Sequence, residues 1–484
     1  MQYVLRILTA LGFLLHFLGL HAGASVGKGI TVPLFPRPRS PSTSTLSYRN
    51  DNNISVANSH EYAYLARVEI GTQSFLVLID TGSSDLWVVS SECMEEDCDA
   101  VAKYLPTSTL SPSNATFSLN YLLGAVSGQI GTELITLGPY QISSQVFGAC
   151  KSQNLLWKLL SIMTVYEALA NETTGLGLSG TGNSGILGLA FPLEAAIPDT
   201  SGRTLLENLF AAFDADDRYF AFKLGRDQLD SSFSVGQLDS AYANSTSGFA
   251  FNPVYSSYKS IYDYWKLPLQ AITVNSTTFN LSRTKVPGAP SPIAVLDTGT
   301  TLILGPTPDV DRLWSSIGGA RKTDAGWQVR CNRGIIIGFV LGQGDDTREF
   351  VLDPFDLSWR QGSSDNDWCM GGIQANDRVA SGDWLLGDSF LRNVYAIHHV
   401  AVDGQPPKIG LLGTTDANSS LVLFQRERGA DTTSPVPILA SPEHQPTGWG
   451  SGSIIGLTVA LSFLLGVLIT CLIFYCVERK MGRR

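Results

Sequence analysis

The chain has 484 residues, of which 16% are charged and 44% hydrophobic, and its net charge at pH 7 is −10. This length predicts two or three domains, and the composition excludes a disordered polyelectrolyte and a coiled coil. The acidic balance argues against a nucleic-acid partner, since phosphate binding needs a basic surface. The charge is uneven, because residues 1–57 carry a net +4 and the last seven residues +3 around an acidic body.

The N-terminus is typical of a secretory signal peptide. Arg6 precedes an apolar run, residues 7–20, and the small residues 22–24 follow as a cleavage pattern. We therefore predict that residues 1–24 are a signal peptide and that the chain enters the secretory pathway. A buried N-terminal strand or helix is the alternative.

Residues 60–425 have the pattern of a β-rich body. Short apolar or alternating runs, such as 62–70, 75–79 and 129–137, are separated by Gly, Pro, Asn and Ser. One stretch departs from this pattern, because its apolar residues recur at helical spacing over 155–169 and predict a surface helix.

Five of the seven cysteines lie in this body. In an oxidising lumen Cys93 and Cys98 are close enough to form a short disulfide loop, and Cys331 with Cys369 can close a longer one. Cys150 is left over, and we expect it to be a buried free thiol.

The body and its flanks also carry seven Asn-x-Ser/Thr glycosylation tripeptides. Such tripeptides are common by chance, but the position of all seven in the part expected to be lumenal agrees with a secretory route. They are Asn53, Asn114, Asn171, Asn244, Asn275, Asn280 and Asn418.

The C-terminal residues predict a stalk and a membrane anchor. Residues 426–453 are rich in Pro, Ser, Thr and Gly without a hydrophobic period, as in a linker. Residues 454–477 carry no charge and are long enough to cross a hydrocarbon core of about 30 Å as one helix, although a buried core helix is the alternative. Cys471 and Cys476 in this span are either buried in lipid or reversibly acylated. The basic tail, residues 478–484, places the C-terminus in the cytoplasm.

An internal repeat lies in the β-rich body. The sequence Val-Leu-Ile-Asp-Thr-Gly-Ser-Ser at 77–84 is echoed by Ala-Val-Leu-Asp-Thr-Gly-Thr-Thr at 294–301, which is 217 residues later. Further along the chain, each copy has a second element of two apolar residues and a glycine, at 186–188 for the first copy and at 385–387 for the second. The repeat predicts two homologous lobes.

The repeat also supplies a pair of carboxylates, Asp80 and Asp297, each at a turn after an apolar strand. If the lobes bring these turns together, carboxyls about 3 Å apart share one proton, because both cannot ionise cheaply. One carboxyl is then an acid and the other a base. The base can take a proton from water while the acid protonates a carbonyl oxygen, which hydrolyses a peptide bond without a metal or a covalent intermediate.

The two Asp-Thr-Gly motifs, their apolar-apolar-Gly partners and the cysteine placement resemble the pepsin-like aspartic proteases over about residues 60–425. The resemblance implies an all-β, bilobal fold, with an N-terminal lobe at 58–235 and a C-terminal lobe at 236–425. It implies an endopeptidase that acts on polypeptides, is inhibited by pepstatin-type compounds and needs no cofactor or metal. Proton sharing by paired aspartates is a known property of this family. A monomer is expected.

The resemblance further implies that Asp80 and Asp297 are the catalytic dyad and titrate as one coupled unit. Ile186 is expected to line an apolar pocket, so that cleavage occurs beside large hydrophobic side chains. The residues expected to support the two catalytic loops are Thr81, Gly82, Ser83, Thr298, Gly299 and Thr300.

The flap of this family, a β-hairpin that closes over the cleft, is matched by residues 119–131. Tyr121 is the expected flap tyrosine, and Trp87 is its expected hydrogen-bond partner. Leu122 and Leu123 stand where the family commonly has Gly and a small hydroxyl residue, so a side-chain contact to substrate is expected to be lost. An ordinary surface hairpin is the alternative.

Two further features differ from the family pattern, and a third segment matches a motif that belongs to other protein classes. Residues 151–184 are longer than the corresponding segment and are either an insertion near the substrate pockets or a translated intron. His398 and His399 replace an aromatic-acidic pair, and a surface or packing role is expected. Residues 175–180 fit G-x-G-x-x-G, but without a strand-to-helix context they are expected to form a flexible loop.

The sequence thus predicts a membrane-anchored, acid-acting aspartic endopeptidase that resembles fungal acid proteases. Residues 25–57 are a candidate basic pro-segment, released from the acidic cleft as carboxylates protonate. A pepsin-like protein that binds polypeptides without cutting them is the alternative. Cell surface and vacuole are both open as locations.

Overall fold

A computed structural model describes the parts of the chain that build the body. These parts lie within one compact unit, residues 1–436, and the second unit, residues 437–484, is outside them. The predicted signal peptide, the helix at 155–169 and the membrane span therefore lie outside the described residues. The structure describes residues 30–37, 63–122, 124–150, 176–197, 203–226, 230–258, 260–360, 367–379, 381–402 and 404–431.

Short strands dominate the described residues, as the alternating apolar runs predict. In the first half these strands are β1 (Ile30–Pro33), β2 (Phe35–Arg37), β3 (Ala63–Ile70), β4 (Gln73–Asp80), β5 (Leu86–Val89), β6 (Ser111–Tyr121), β7 (Gly124–Leu137), β8 (Tyr140–Cys150), β9 (Gly185–Gly188), β10 (Tyr219–Lys223) and β11 (Ser232–Val235). In the second half they are β12 (Ala250–Pro253), β13 (Lys266–Val274), β14 (Thr277–Phe279), β15 (Ile293–Leu296), β16 (Ile303–Gly305), β17 (Ala320–Thr323), β18 (Gly326–Arg330), β19 (Ile337–Leu341), β20 (Arg348–Leu352), β21 (Ser358–Trp359), β22 (Trp368–Gly371), β23 (Ile373–Ala375), β24 (Trp384–Leu386), β25 (Val394–His399) and β26 (Lys408–Gly413).

The helices of the described residues have at most 12 residues, and all but the last of them lie between strands. No helix among the described residues is long and apolar enough to span a bilayer. The α-helices are α1 (Leu178–Thr181), α2 (Leu205–Phe210), α3 (Thr307–Ile317), α4 (Pro354–Leu357), α5 (Asp388–Leu391) and α6 (Ala417–Arg428). Single 3₁₀ turns occur at Glu96–Cys98, Pro192–Glu194, Ala215–Asp217 and Gly344–Asp346.

Two of these helices correct expectations from the sequence. The flexible loop expected at 175–180 is wrong in its second half, because buried Leu178 begins α1, which packs against the 3₁₀ turn at Glu96–Cys98. The expectation that residues 426–428 belong to a stalk is wrong, because α6 runs to Arg428, and an ion pair of 2.7 Å also joins Arg333 to Asp431.

Each lobe contains a sheet in which the strand before the Asp-Thr-Gly turn lies beside the strand of the apolar-apolar-Gly motif. The first sheet has the order β2-β3-β4-β9-β5-β8-β7-β6, and the second follows β20-β19-β13-β15-β24-β16-β23, with β14 paired to β13. β4 runs parallel to β9 and β15 runs parallel to β24. β5 then pairs antiparallel with β9, and β16 pairs antiparallel with β24. The sequence repeat is therefore also a repeat of topology, which confirms two homologous lobes.

A six-stranded sheet of order β1-β11-β10-β25-β26-β12 joins the two halves of the chain. β10 from the first half pairs antiparallel with β25 from the second. The edge strand β1 and the short strand β2, which pairs with β3, come from the segment expected to be a pro-segment. Residues 30–37 are thus part of the folded body in this structure.

Two disulfides lie in the lobes, Cys93–Cys98 and Cys331–Cys369. The first encloses the 3₁₀ turn at Glu96–Cys98, and the second links the segment after β18 to β22. Cys150 ends β8, and its side chain lies outside the description.

His398 lies in the core of the joining sheet, whereas His399 lies at its surface. His398 is fully buried, stacks on Phe220 with ring centroids 4.8 Å apart and meets Trp265 edge-on at 4.8 Å. Neither of its ring nitrogens has a hydrogen-bond partner among the described residues. Burial lowers the pKa of His398 to about 3, so the ring packs as a neutral aromatic group.

Replacement of His398 by Phe is expected to reduce the loss of stability on acidification. Because the pKa is about 3 in the folded state and near 6.5 when exposed, the unfolded chain binds the proton first. Stability therefore falls between about pH 6.5 and pH 3, by up to about 1.4 kcal/mol per pH unit. Urea unfolding near pH 6.5 and near pH 4 measures this difference.

His399→Gln is the matched control for this experiment, because the His399 ring lies near the surface, where it hydrogen-bonds to the carbonyls of Val400 and Asp216 and stacks on Tyr219. The control should keep the acid sensitivity of the unaltered chain. Equal acid sensitivity in the His398→Phe variant would show that the buried imidazole does not set it.

Candidate active site

Asp80 is buried at the end of β4, where the backbone turns away from the sheet. The Gly82 amide donates to Asp80 Oδ1 at 2.8 Å, and the Ser83 hydroxyl donates to Oδ2 at 2.5 Å. The two oxygens of the carboxylate are therefore fixed separately, one by the backbone and one by a side chain.

Asp297 follows β15 and repeats this arrangement in the second lobe. Gly299 N–H donates to its Oδ1 at 2.8 Å, and the Thr300 hydroxyl donates to Oδ2 at 2.7 Å. The side chain is buried to a similar degree. Each lobe thus presents one carboxylate with its Oδ2 held by a hydroxyl group.

The glycines of the two loops show that the carboxylates lie against each other. A Cβ atom on Gly82 would come within 2.6 Å of Asp297 Oδ1, and one on Gly299 within 2.4 Å of Asp80 Oδ1. Only glycine leaves room for the carboxylate of the opposite loop at these positions. Burial, and then the neighbouring Asp297 carboxylate, raise the pKa of Asp80. The pair is therefore suited to hold one proton.

Thr81 and Thr298 join the two loops by four reciprocal hydrogen bonds. Thr81 N–H donates to Thr298 Oγ1 at 3.0 Å, and Thr298 N–H donates to Thr81 Oγ1 at 3.0 Å. The Thr81 hydroxyl donates to the Leu296 carbonyl at 2.9 Å, and the Thr298 hydroxyl to the Ile79 carbonyl at 2.8 Å. Each hydroxyl therefore both accepts from and donates to the opposite lobe.

The hairpin of β6 and β7 carries Tyr121 beside the dyad. Tyr121 pairs with Gly124 across the hairpin, and its hydroxyl accepts a hydrogen bond of 2.8 Å from Trp87 Nε1. Burial, and then the Asp80 charge, raise the pKa of Tyr121, so the phenol stays protonated. Leu122 is exposed at the tip, and Leu123 lies outside the described residues.

Ile186 lies on β9, opposite Leu78 on one side and Trp87 on the other. It belongs to an apolar cluster that also contains Phe117 and extends to the partly buried Tyr121. The structure therefore places Ile186 between the strand that ends at Asp80 and the hairpin that carries Tyr121.

Sequence reasoning missed two residues that position the catalytic loops. Asp85 is buried and accepts hydrogen bonds from the amides of Ala196 at 3.0 Å and Ile197 at 2.9 Å. Because Asp85 follows Asp80 by only five residues, the sequence could have indicated that it supports the catalytic loop. Trp265 donates from Nε1 to the Leu189 carbonyl at 2.8 Å, and no motif marks it in the sequence.

Replacement of Thr298 by Val is expected to weaken the junction between the catalytic loops. The amide of Thr81 loses its acceptor and the carbonyl of Ile79 its donor, and each unsatisfied buried group costs about 1–3 kcal/mol. Turnover of a peptide should fall together with the free energy of unfolding. Urea unfolding and kcat measure the two effects.

Thr298→Ser is the control, because it keeps the hydroxyl group and both of its hydrogen bonds. A Val variant as stable and active as the Ser variant would contradict the role given to these bonds.

Comparison with known proteins agrees with this geometry. Residues 63–411 match the family model described as eukaryotic aspartyl protease. An aspartic protease of Phaffia rhodozyma is 30% identical over 70% of this chain and 74% of that protein. Major aspartyl peptidase 1 of Cryptococcus neoformans var. grubii is 28% identical over 69% of this chain and 65% of its own length. Pepsin A of Sus scrofa is 28% identical over 72% of this chain and 80% of its own length. The chain therefore belongs to the eukaryotic aspartyl protease family, whose pepsin-like members are aspartic-type endopeptidases.

Proposed function

We propose that the chain hydrolyses peptide bonds at acidic pH by means of a water molecule activated between Asp80 and Asp297. The observation that carries this proposal is the symmetric convergence of two buried carboxylates, each with Oδ2 fixed by a hydroxyl group and Oδ1 against the opposite glycine. This geometry leaves the facing oxygens for a shared proton and for water.

In the proposed reaction the ionised carboxylate takes a proton from water, and the oxygen of that water attacks the peptide carbonyl carbon. The protonated carboxyl gives its proton to the carbonyl oxygen, which forms a neutral tetrahedral diol. The carboxyl that took the proton from water then gives it to the amide nitrogen as the carbon–nitrogen bond breaks, while the other carboxylate takes a proton from one hydroxyl group of the diol. The products are a carboxylic acid and an amine. The dyad ends with one proton, as it began.

The raised pKa of Asp80 sets the direction of the pH dependence. Because Asp80 keeps its proton at pH values above the ordinary pKa of aspartate, near 3.9, the dyad stays singly protonated in mildly acidic solution. Activity should therefore extend above that range and fall as the last shared proton is lost on the alkaline side.

The apolar cluster beside the dyad supports a preference for large hydrophobic side chains. Phe117, Ile186 and the partly buried Leu119 pack together next to Tyr121. The exposed Leu122 adds apolar surface at the hairpin tip. A bulky apolar side chain beside the scissile bond would cover this surface, whereas a charged side chain would lose its hydration there.

Asp80→Asn and Asp297→Asn should each abolish hydrolysis of a peptide with Phe or Leu on both sides of the scissile bond, because an amide cannot exchange the shared proton. Peptide cleavage near pH 4, with and without a pepstatin-type inhibitor, measures the effect. Asp324→Asn, at an exposed hairpin turn between β17 and β18, is the matched control and should retain full activity.

Unchanged cleavage in both dyad variants would refute the mechanism. A binding protein without activity is the second candidate, favoured by the bulky Leu122 at the hairpin tip. In that case the chain without any substitution would bind the inhibitor or the peptide but would not cleave the peptide.

We infer that the body is lumenal or extracellular and is held by the apolar segment at 454–477. The signal-peptide pattern supports this topology, as does the exposure of the asparagines in the five described glycosylation tripeptides. Residues 25–57 act as a pro-segment in this proposal. The exposed asparagines are Asn114, Asn244, Asn275, Asn280 and Asn418.

The full chain should stay with membranes after an alkaline carbonate wash, because about 20 apolar residues suffice to span a bilayer. A variant that ends at Asp431 should appear in the medium, since it keeps α6 and loses the apolar segment. Immunoblots of the pellet and supernatant measure the distribution, and glycosidase treatment should lower the apparent mass of both forms. Release of the full chain by carbonate would remove the anchor from the proposal.

A further inference from the structure

A cavity of about 680 Å³ opens to solvent in the second lobe. It is lined by residues 278–284 and 289–292 and by Gln270 and Ala271 of β13, and we call it the β13 cavity. β15 begins where residues 289–292 end and leads to Asp297, so the cavity and the dyad lie at opposite ends of that strand. The volume falls in the range of about 300–1,000 Å³ that small-molecule sites have.

The β13 cavity results from a gap in the pairing of β13. One edge of this strand pairs with β19. The other edge pairs with β15 through residues 266–268 and with β14 through residues 272–274. Gln270 and Ala271 lie between these two pairings, where the cavity remains open beside the strand.

Two buried aspartates fix the walls of the cavity. Asp383 accepts hydrogen bonds from Lys285 N–H at 2.7 Å and from Ile293 N–H at 2.9 Å, which holds both ends of one wall. Asp309 holds the other wall, because it accepts from Ser282 N–H at 3.0 Å and from the Ser282 hydroxyl at 2.5 Å. The cavity is therefore preformed, and an occupant does not have to order its walls.

Asn280 lines the β13 cavity and is the acceptor residue of the glycosylation tripeptide Asn-Leu-Ser at 280–282. The residue is exposed, and its backbone is fixed because Arg312 donates to its carbonyl at 2.8 Å. The other described asparagines of such tripeptides do not line this cavity. A sugar attached to Asn280 would therefore begin at the cavity wall.

The lining of the cavity fits the chemistry of a neutral amino sugar. An N-acetylhexosamine presents C–H groups and a methyl group together with hydroxyl and amide groups. The side chains of Phe279, Leu281 and Pro290 offer apolar surface to the first kind of group. Thr278 and Arg283, which are exposed at the cavity, offer hydrogen-bond donors to the second kind.

We propose that the N-glycan on Asn280 folds back into the β13 cavity and that its first N-acetylhexosamine units bind there as a tethered ligand. This inference rests on the lumenal location in the proposed function, because N-glycans are added in the secretory pathway. The tether gives the sugars an effective concentration of about millimolar at the cavity, so weak contacts are enough to keep them bound. A ligand that binds only the folded state stabilises it, and this ligand would brace the wall that leads into β15.

The first experiment measures how fast an endoglycosidase that cuts between the two core sugars removes each glycan from the native full chain in detergent. Mass spectrometry of glycopeptides follows Asn280 and, as the matched control, Asn244, which is exposed in the loop between β11 and β12. We expect removal at Asn280 to be about tenfold slower, because a bound sugar must leave the cavity before it is cut. The two rates should become equal in the unfolded chain.

Two kinds of variant separate binding in the cavity from simple crowding at the surface. Ala289→Trp fills the cavity and should raise the rate at Asn280 to that at Asn244. Asn280→Gln removes the glycan and should lower the midpoint of thermal unfolding by about 2 °C, whereas Asn244→Gln should leave it unchanged.

The inference is overturned if Asn280 carries no glycan while other tripeptides do, or if its glycan is removed as fast as that of Asn244. Protection that persists in Ala289→Trp, or an unchanged unfolding midpoint in Asn280→Gln, would also overturn it. Absence of glycans from all of the asparagines would instead contradict the lumenal location in the proposed function.

Discussion

The carboxylates of Asp80 and Asp297 lie buried beside each other, an arrangement that desolvation and mutual repulsion both oppose. The reciprocal hydrogen bonds of Thr81 and Thr298 stabilise it, because each loop satisfies its buried backbone groups only when the other lobe is in place. Separation of the lobes would leave these groups unpaired. The folding of the two lobes and the assembly of the dyad are therefore coupled by the same bonds.

Two buried groups give the stability of the chain opposite pH dependences. The pKa of His398 is lowered by burial, so protonation favours the unfolded state as the pH falls below about 6.5. The pKa of Asp80 is raised in the folded state. As the pH rises above about 3.9, the carboxyl therefore ionises in the unfolded chain first, and the folded state loses stability until Asp80 ionises there too. The first effect lies in the joining sheet and the second at the dyad. Both come from the exclusion of water from the junction of the lobes.

A buried ionic cluster strengthens this junction at a second place. Arg392 donates from Nε to the Tyr64 hydroxyl at 2.8 Å and forms an ion pair of 3.1 Å with Asp356. The Tyr64 hydroxyl donates to the Gly225 carbonyl at 2.8 Å. Strand β3 of the first lobe is thus joined to the second lobe by charge-assisted bonds.

The sequence by itself determined the β-rich class, the two lobes and the residues of the dyad loops. The physical reason is local: alternating apolar residues specify strands, and the repeated Asp-Thr-Gly turn needs a glycine for close approach. It did not reveal the role of Trp265, the helical turn at Leu178, the length of α6 or the burial of His398. These depend on contacts between residues that are far apart in the chain, such as the pairing of β10 with β25 that buries His398. Only the tertiary structure decided which side chains lose their water, because burial is a property of the packed lobes and not of neighbours in the chain.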